Sequence, residues 1–163
     1  PLVLTVTLDE TSQIFFNQKR VFYFPPERNF IHAHLTLFHH LPGEINICNT
    51  IQSICHQQKQ IELMVKQPVS IGKGVAYQIE SKVLVSLHKA LQKQWIDVLT
   101  MQDRQGLWPH ITVQNKVTHQ QAGQTLQELK NGFVPFTTYA KGLTLWKYLN
   151  GPWEEWKQFV FAG

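Results

Sequence analysis

The sequence predicts an α+β fold built on antiparallel or mixed sheets. Three observations carry that prediction. Periods of two and of 3.6 residues alternate along the chain in the order β-α-β-α-β-β-α-β-α-β-β. Several connections are too short for parallel crossovers. A His-apolar-Thr-apolar tetrad occurs at positions 34 and 110, 76 residues apart and close to half of the 163-residue chain. Two similar lobes with one tetrad each would give that spacing.

Each element has a local cause. Leu2 to Leu8 alternates Leu, Val and Thr and reads as a strand. Asp9 to Phe24 runs helical from an Asp or Thr cap until Pro25-Pro26 stops it. Ile31 to Leu41 is the second strand, closed by the Pro42-Gly43 turn. Glu44 to Gln58 carries a helical stripe at Ile47, Cys48, Ile51, Ile54 and Cys55. Ile61 to Ile71 and Val75 to Glu80 form a hairpin through Gly72-Lys73-Gly74. Ser81 caps a helix to Leu99 whose apolar face is Leu84, Leu87, Leu91, Trp95 and Val98. Pro109 to Val117 is a strand, and Thr118 caps a helix that stops near Gly132. Thr138 to Leu149 and Trp153 to Phe161 are strands joined by the Asn150-Gly151 turn.

Composition narrows the function. Apolar residues make up 43% and aromatics 12%, which excludes a disordered chain. No apolar run exceeds four residues, so neither a membrane helix nor a signal peptide is expected. The start at Pro1 predicts loss of an initiator Met or of a short leader. A formal charge of +4 is compatible with a polyanion such as RNA, but only three of the 15 basic residues are Arg. Cys48 and Cys55 fall on one helix, about 10 Å apart at 1.5 Å per residue, too far for a disulfide. They predict a reducing, cytoplasmic setting. Linkers and low-complexity runs are absent, so residues 1–163 read as a single domain, and a monomer is expected.

The repeated tetrad is the chemical signal. His34-Leu35-Thr36-Leu37 and His110-Ile111-Thr112-Val113 each lie in a predicted strand. Alternation puts His and Thr on one face and the apolar residues in the core. Breaking a phosphodiester without a metal needs a base for the nucleophile and an acid for the leaving oxygen. Two imidazoles can fill both roles near neutral pH. Each Thr hydroxyl can donate to a phosphate oxygen as charge grows there.

The settings of both tetrads resemble the two-histidine (2H) phosphoesterase superfamily, in its bacterial 2′-5′ RNA ligase branch. His32-Ala33-His34-Leu35-Thr36-Leu37-Phe38-His39-His40-Leu41-Pro42 is similar to the first motif of that branch. Gly72-Lys73-Gly74-Val75-Ala76-Tyr77 is similar to its middle hairpin, and Trp108-Pro109-His110-Ile111-Thr112-Val113-Gln114-Asn115-Lys116 to its second motif. The resemblance implies a bilobal α+β fold: two pseudo-symmetric antiparallel sheets, outer helices and a central groove. It implies cleavage of 2′,3′-cyclic phosphates or 2′-linked nucleotide esters at RNA ends, with no metal or other cofactor, and in some members RNA ligation. By motif, His34 and His110 are the acid–base pair and Thr36 and Thr112 hold the phosphate, with His110 as base and His34 as acid in the hydrolytic direction.

Other residues have two readings. Trp108 stacks on a base at the groove mouth or packs against a helix. Lys73 meets a phosphate or forms a solvated hairpin tip. Gln114 shares the parity of His110 and Thr112 and so is placed on the groove floor. Arg104 and Lys116 guide an anion or are plain surface charge. His39 and His40 read as a strand end in solvent, and Trp153-Glu154-Glu155-Trp156 as packing beside a hydrated edge. Three rival functions stand beside the first: a non-catalytic RNA-end binder, a hydrolase holding a metal on His32, His34, His39 and His40, and a hydrolase of oxidised nucleotides or acyl chains on the same scaffold.

Overall fold

A computed structural model describes all 163 residues. The elements are β1 (Leu2–Leu8), α1 (Glu10–Tyr23), β2 (Thr36–Leu41), α2 (Ile45–Gln57), β3 (Ile61–Ser70), β4 (Val75–Glu80), α3 (Lys82–Trp95), β5 (His110–Gln114), α4 (His119–Lys130), β6 (Phe136–Tyr148) and β7 (Trp153–Val160). Their order is the expected one, with one added 3-10 turn at Pro26–Arg28. Ser81 caps α3 by accepting from the Leu84 N–H at 3.1 Å. Thr118 and Gln121 close a capping box on α4, each accepting from the other's backbone N–H at 3.1 Å.

All strand pairs are antiparallel, and the two expected lobes are halves of one hydrogen-bonded sheet. The reason is the length of β6. Its first part, Phe136 to Ala140, pairs with β3, and its second part, Gly142 to Tyr148, pairs with β7. β1 runs along the other edge of β6. One half is therefore β2-β1-β6-β7 and the other β6-β3-β4-β5. β6 passes from one partner to the other around Gly142, where a Cβ would sit 2.1 Å from the Phe159 carbonyl oxygen.

Each tetrad lies at an outer strand, β2 or β5, and each of those strands is packed by the helix of the opposite half. α1 follows β1 and packs on β5. α3 follows β4 and reaches β2, where Phe38 meets Trp95 edge-on at 5.2 Å and His88 face-on at 4.7 Å. α2 lies on β6 and β7, and α4 on β3 and β4. One cluster of 33 buried residues runs through both halves. No helix is long and apolar enough to cross a membrane.

Three elements depart from the sequence expectation. β2 begins at Thr36 instead of Ile31. Side chains of α1 occupy the backbone groups a strand would use: Asn17 Oδ1 accepts from Ala33 N–H at 2.9 Å, and Gln13 Nε2 donates to Ala33 C=O at 2.7 Å. α3 ends at Trp95, leaving Val98 exposed in the following turns. β5 spans only His110 to Gln114.

Candidate active site

A cavity of about 290 Å³ lies between the two outer strands. His34, Thr36, His110 and Thr112 all line it, so the two tetrads meet over one space. All four side chains are half-buried. Trp108 also lines this cavity, whereas Gln114 and Lys73 do not.

The two imidazoles are held in the same way. His34 Nδ1 lies 2.8 Å from the His32 carbonyl oxygen, and His110 Nδ1 lies 2.7 Å from the Trp108 carbonyl oxygen. A carbonyl only accepts, so each Nδ1 carries the proton and Nε2 is the titrating atom of each ring. Each ring also rests on an indole. Trp153 lies 4.7 Å from His34, and Trp108 stacks on His110 at 4.3 Å with 24° between the planes. Trp108 therefore braces a motif histidine, a contact that neither sequence reading included. Trp153, read from sequence as edge packing, supplies the matching brace from β7. Nothing in the local sequence around Trp153 signals that role.

Packing shapes the electrostatics. Burial, chiefly, brings His34 down to about 4; the His32 carbonyl opposes this, while Arg20, His110 and His39 add to it. Burial likewise holds His110 below its ordinary value, against its carbonyl contact and with help from His39. Both shifts favour the neutral ring at neutral pH.

Arg20 is a source of positive field that the sequence did not single out. It is only 5% exposed. Its Nε donates to Asn29 Oδ1 at 2.8 Å, its Nη1 donates to the Thr112 carbonyl at 3.3 Å, and the guanidinium lies 4.0 Å from the Phe24 ring centroid. The structure's ion pairs are His39–Asp103 and Lys66–Glu80, so Arg20 has no carboxylate partner. Burial pulls it to about 10, which leaves it cationic. Gln13, Asn17 and Arg20 form one polar stripe on α1 that ties Ala33, beside the first tetrad, to Thr112 of the second.

Two expected site residues lie elsewhere. Gln114 is buried and donates through Nε2 to Thr125 Oγ1 of α4 at 2.8 Å. Strict alternation fails because β5 advances from Thr112 to Gln114 while β4 advances only from Ala76 to Val75. The extra residue turns Gln114 inward. Lys73 is exposed at the hairpin tip, where its carbonyl accepts from Val117 N–H at 3.1 Å. Arg104 and Lys116 are exposed and do not line the cavity. Of the four histidines considered for a metal, His34 and His39 line the cavity. No three His, Cys, Asp or Glu side chains converge as a ligand set.

Solved structures share this architecture. TT0787 of Thermus thermophilus superposes with a TM-score of 0.66 at 13% identity, covering 99% of this chain and 98% of that one. A protein described as a phosphoesterase gives 0.64 at 16% identity, with the same coverage. LigT of E. coli in complex with 3′-AMP gives 0.59 at 16% identity, again covering 99% and 98%. No curated protein sequence matches the chain. At such identities the structures establish the fold, and the family comes from the sequence: residues 8–152 match the description of the 2′-5′ RNA ligase superfamily, so the chain belongs to that superfamily of two-histidine phosphoesterases.

Proposed function

We propose that the protein is a metal-independent RNA-end phosphoesterase acting on 2′,3′-cyclic phosphate or 2′-5′ phosphodiester bonds. The observation that carries this reading is the matched pair of imidazoles, each with Nδ1 tied to a carbonyl, on one cavity with two Thr hydroxyls. In hydrolysis, Nε2 of His110 takes a proton from water as its oxygen bonds to phosphorus. Nε2–H of His34 gives a proton to the ribose oxygen as the P–O bond breaks. Thr36 and Thr112 donate to the non-bridging oxygens, where negative charge rises. In ligation the 5′-hydroxyl of a second RNA end takes the place of water: its oxygen bonds to the cyclic phosphorus as it loses its proton, and the 3′-oxygen leaves with a proton. Attack of that 3′-hydroxyl on the 2′-5′ bond is the reverse, with the two histidines exchanging roles. The superfamily and the 3′-AMP complex of LigT, a nucleotide with its phosphate on the ribose, support a nucleotide phosphate as the occupant. Two free, buried cysteines support a reducing, cytoplasmic setting. In this reading residues 1–163 work as one domain and a monomer.

The test is turnover of short RNAs ending in 2′,3′-cyclic phosphate and of 2′-5′-linked dinucleotides, with products identified by mass. His34→Ala, His110→Ala and the double variant are expected to lose activity to near-equal extents, by at least about 10²-fold each, as parts of one unit do. Full activity in either single variant would reject the pair. Binding without turnover in the unmodified protein would favour a non-catalytic RNA-end binder instead.

A further inference from the structure

Besides His34 and His110, two more imidazoles line the cavity: the buried His88, stacked on Phe38, and the exposed His39. β2 departs from strict alternation twice. It advances from Thr36 to Phe38 while β1 moves only from Thr5 to Leu4, and from Phe38 to Leu41 while β1 moves from Leu4 to Leu2. As a result Leu37 and Phe38 are both buried, and His39 and His40 both face outward. A regular strand would send His39 to the face opposite His34 and Thr36; the bulge brings it into the cavity with them.

This bulge is held by a buried charge. Asp103, 3% exposed, takes the His39 N–H at 2.8 Å and the His40 N–H at 2.8 Å, and its Oδ1 lies 3.2 Å from His39 Nδ1. Asp103 is itself fixed, because Gln92 Nε2 donates to its carbonyl at 3.0 Å. Burial alone would raise the Asp103 carboxyl, but its three donors more than offset that and keep it ionised. His34 and His110 lean on neutral carbonyls; His39 leans on the Asp103 carboxylate, which fixes its ring. Gln102 and Gln105, from the same connection, line the same cavity.

The other half lacks this device. β5 has the matching irregularity after Thr112, yet five residues past its motif histidine stands Asn115, where the first half has His39. An otherwise two-fold site is thus lopsided, with one extra carboxylate-held imidazole on the β2 side.

We propose that His39, oriented by Asp103, binds a second phosphate of the substrate, one position away from the phosphate held between His34 and His110. The protein then selects phosphorylated or oligonucleotide ends over single nucleosides carrying one phosphate. This rests on the reading that a phosphate sits between the two motif histidines. The experiment compares adenosine 3′-monophosphate with adenosine 3′,5′-bisphosphate by calorimetry, with histidine ring resonances followed by NMR, in the unmodified protein and in His39→Gln. One added charge-assisted hydrogen bond predicts roughly tenfold tighter binding of the bisphosphate. His39→Gln should bring the affinity ratio close to one, with the 3′-monophosphate still shifting the His34 and His110 resonances. Equal affinities in the unmodified protein, with those resonances shifting, overturn the second-phosphate site alone. So does a ratio that survives in His39→Gln. If neither ligand shifts the His34 and His110 resonances, the phosphodiester reading fails and this inference fails with it.

Discussion

Proton uptake on anion binding is the sharpest consequence of the site. His34 sits at about 4, mainly through burial, so at pH 6 about one ring in a hundred is protonated. A single negative charge about 4 Å away, at an effective dielectric of about 20, stabilises an imidazolium by about 4 kcal/mol. At about 1.4 kcal/mol per pH unit, that lifts the midpoint by about three, to about 7. Roughly nine of ten sites then hold the proton at pH 6, against about one in ten at pH 8. His110 helps depress His34, so the pair takes up one shared proton. Sulfate is the suitable probe because it does not titrate in this range. Calorimetry in two buffers of different ionisation enthalpy should give about 0.9 proton taken up at pH 6 and about 0.1 at pH 8. Sulfate binding at pH 6 with no uptake refutes the reasoning. So does an NMR titration of the sulfate-free protein with both rings at midpoints near 6.5.

Further outcomes follow from the same contacts. Asp103→Ala leaves two backbone donors and a ring N–H without their acceptor, and should cost about 2–4 kcal/mol, read as a melting temperature lower by roughly 5–15 °C. Gly142→Ala puts a Cβ 2.1 Å from a backbone oxygen and should destabilise by about 1–3 kcal/mol or more, whereas Gly43→Ala meets nothing within 4 Å and should stay within about 1 kcal/mol of the parent in denaturant melts. Trp153→Ala opens one face of the His34 ring to water, so its NMR midpoint should rise from about 4 toward 6.5; an unmoved midpoint contradicts burial as the cause. His34 is held below its unfolded value, so the unfolded chain binds more protons between about pH 6.5 and 4. Stability is complete above about 6.5 and falls as pH drops toward 4, by at most about 3 kcal/mol from this ring, and chemical melts across that window measure it. A His34→Asn variant that keeps the full acid sensitivity would assign the loss to other groups.

The order of elements was legible because its signals are local. A period of two or 3.6, a Ser or Thr cap and a Gly or Asn-Gly turn each act over a few residues. The tetrads were legible for the same reason: His and Thr two apart in a strand share a face, and a second copy at half-chain distance needs no alignment to notice. Where the expectation slipped, the cause was a partner. Ile31 to Leu35 has strand composition, yet Gln13 and Asn17 of α1 take the backbone groups of Ala33. Gln114 has groove parity, but an extra residue against β4 turns it inward.

The chain by itself determined the two His-x-Thr tetrads, whose apolar neighbours are buried. Only the tertiary structure decided what surrounds them. Trp153 comes to His34 from the last strand, Arg20 comes to Thr112 from the first helix, and Asp103 bends β2 so that His39 joins the cavity. Those placements depend on strand register and on contacts between residues far apart in sequence. Register is a property of two strands together, so no stretch of either one records it.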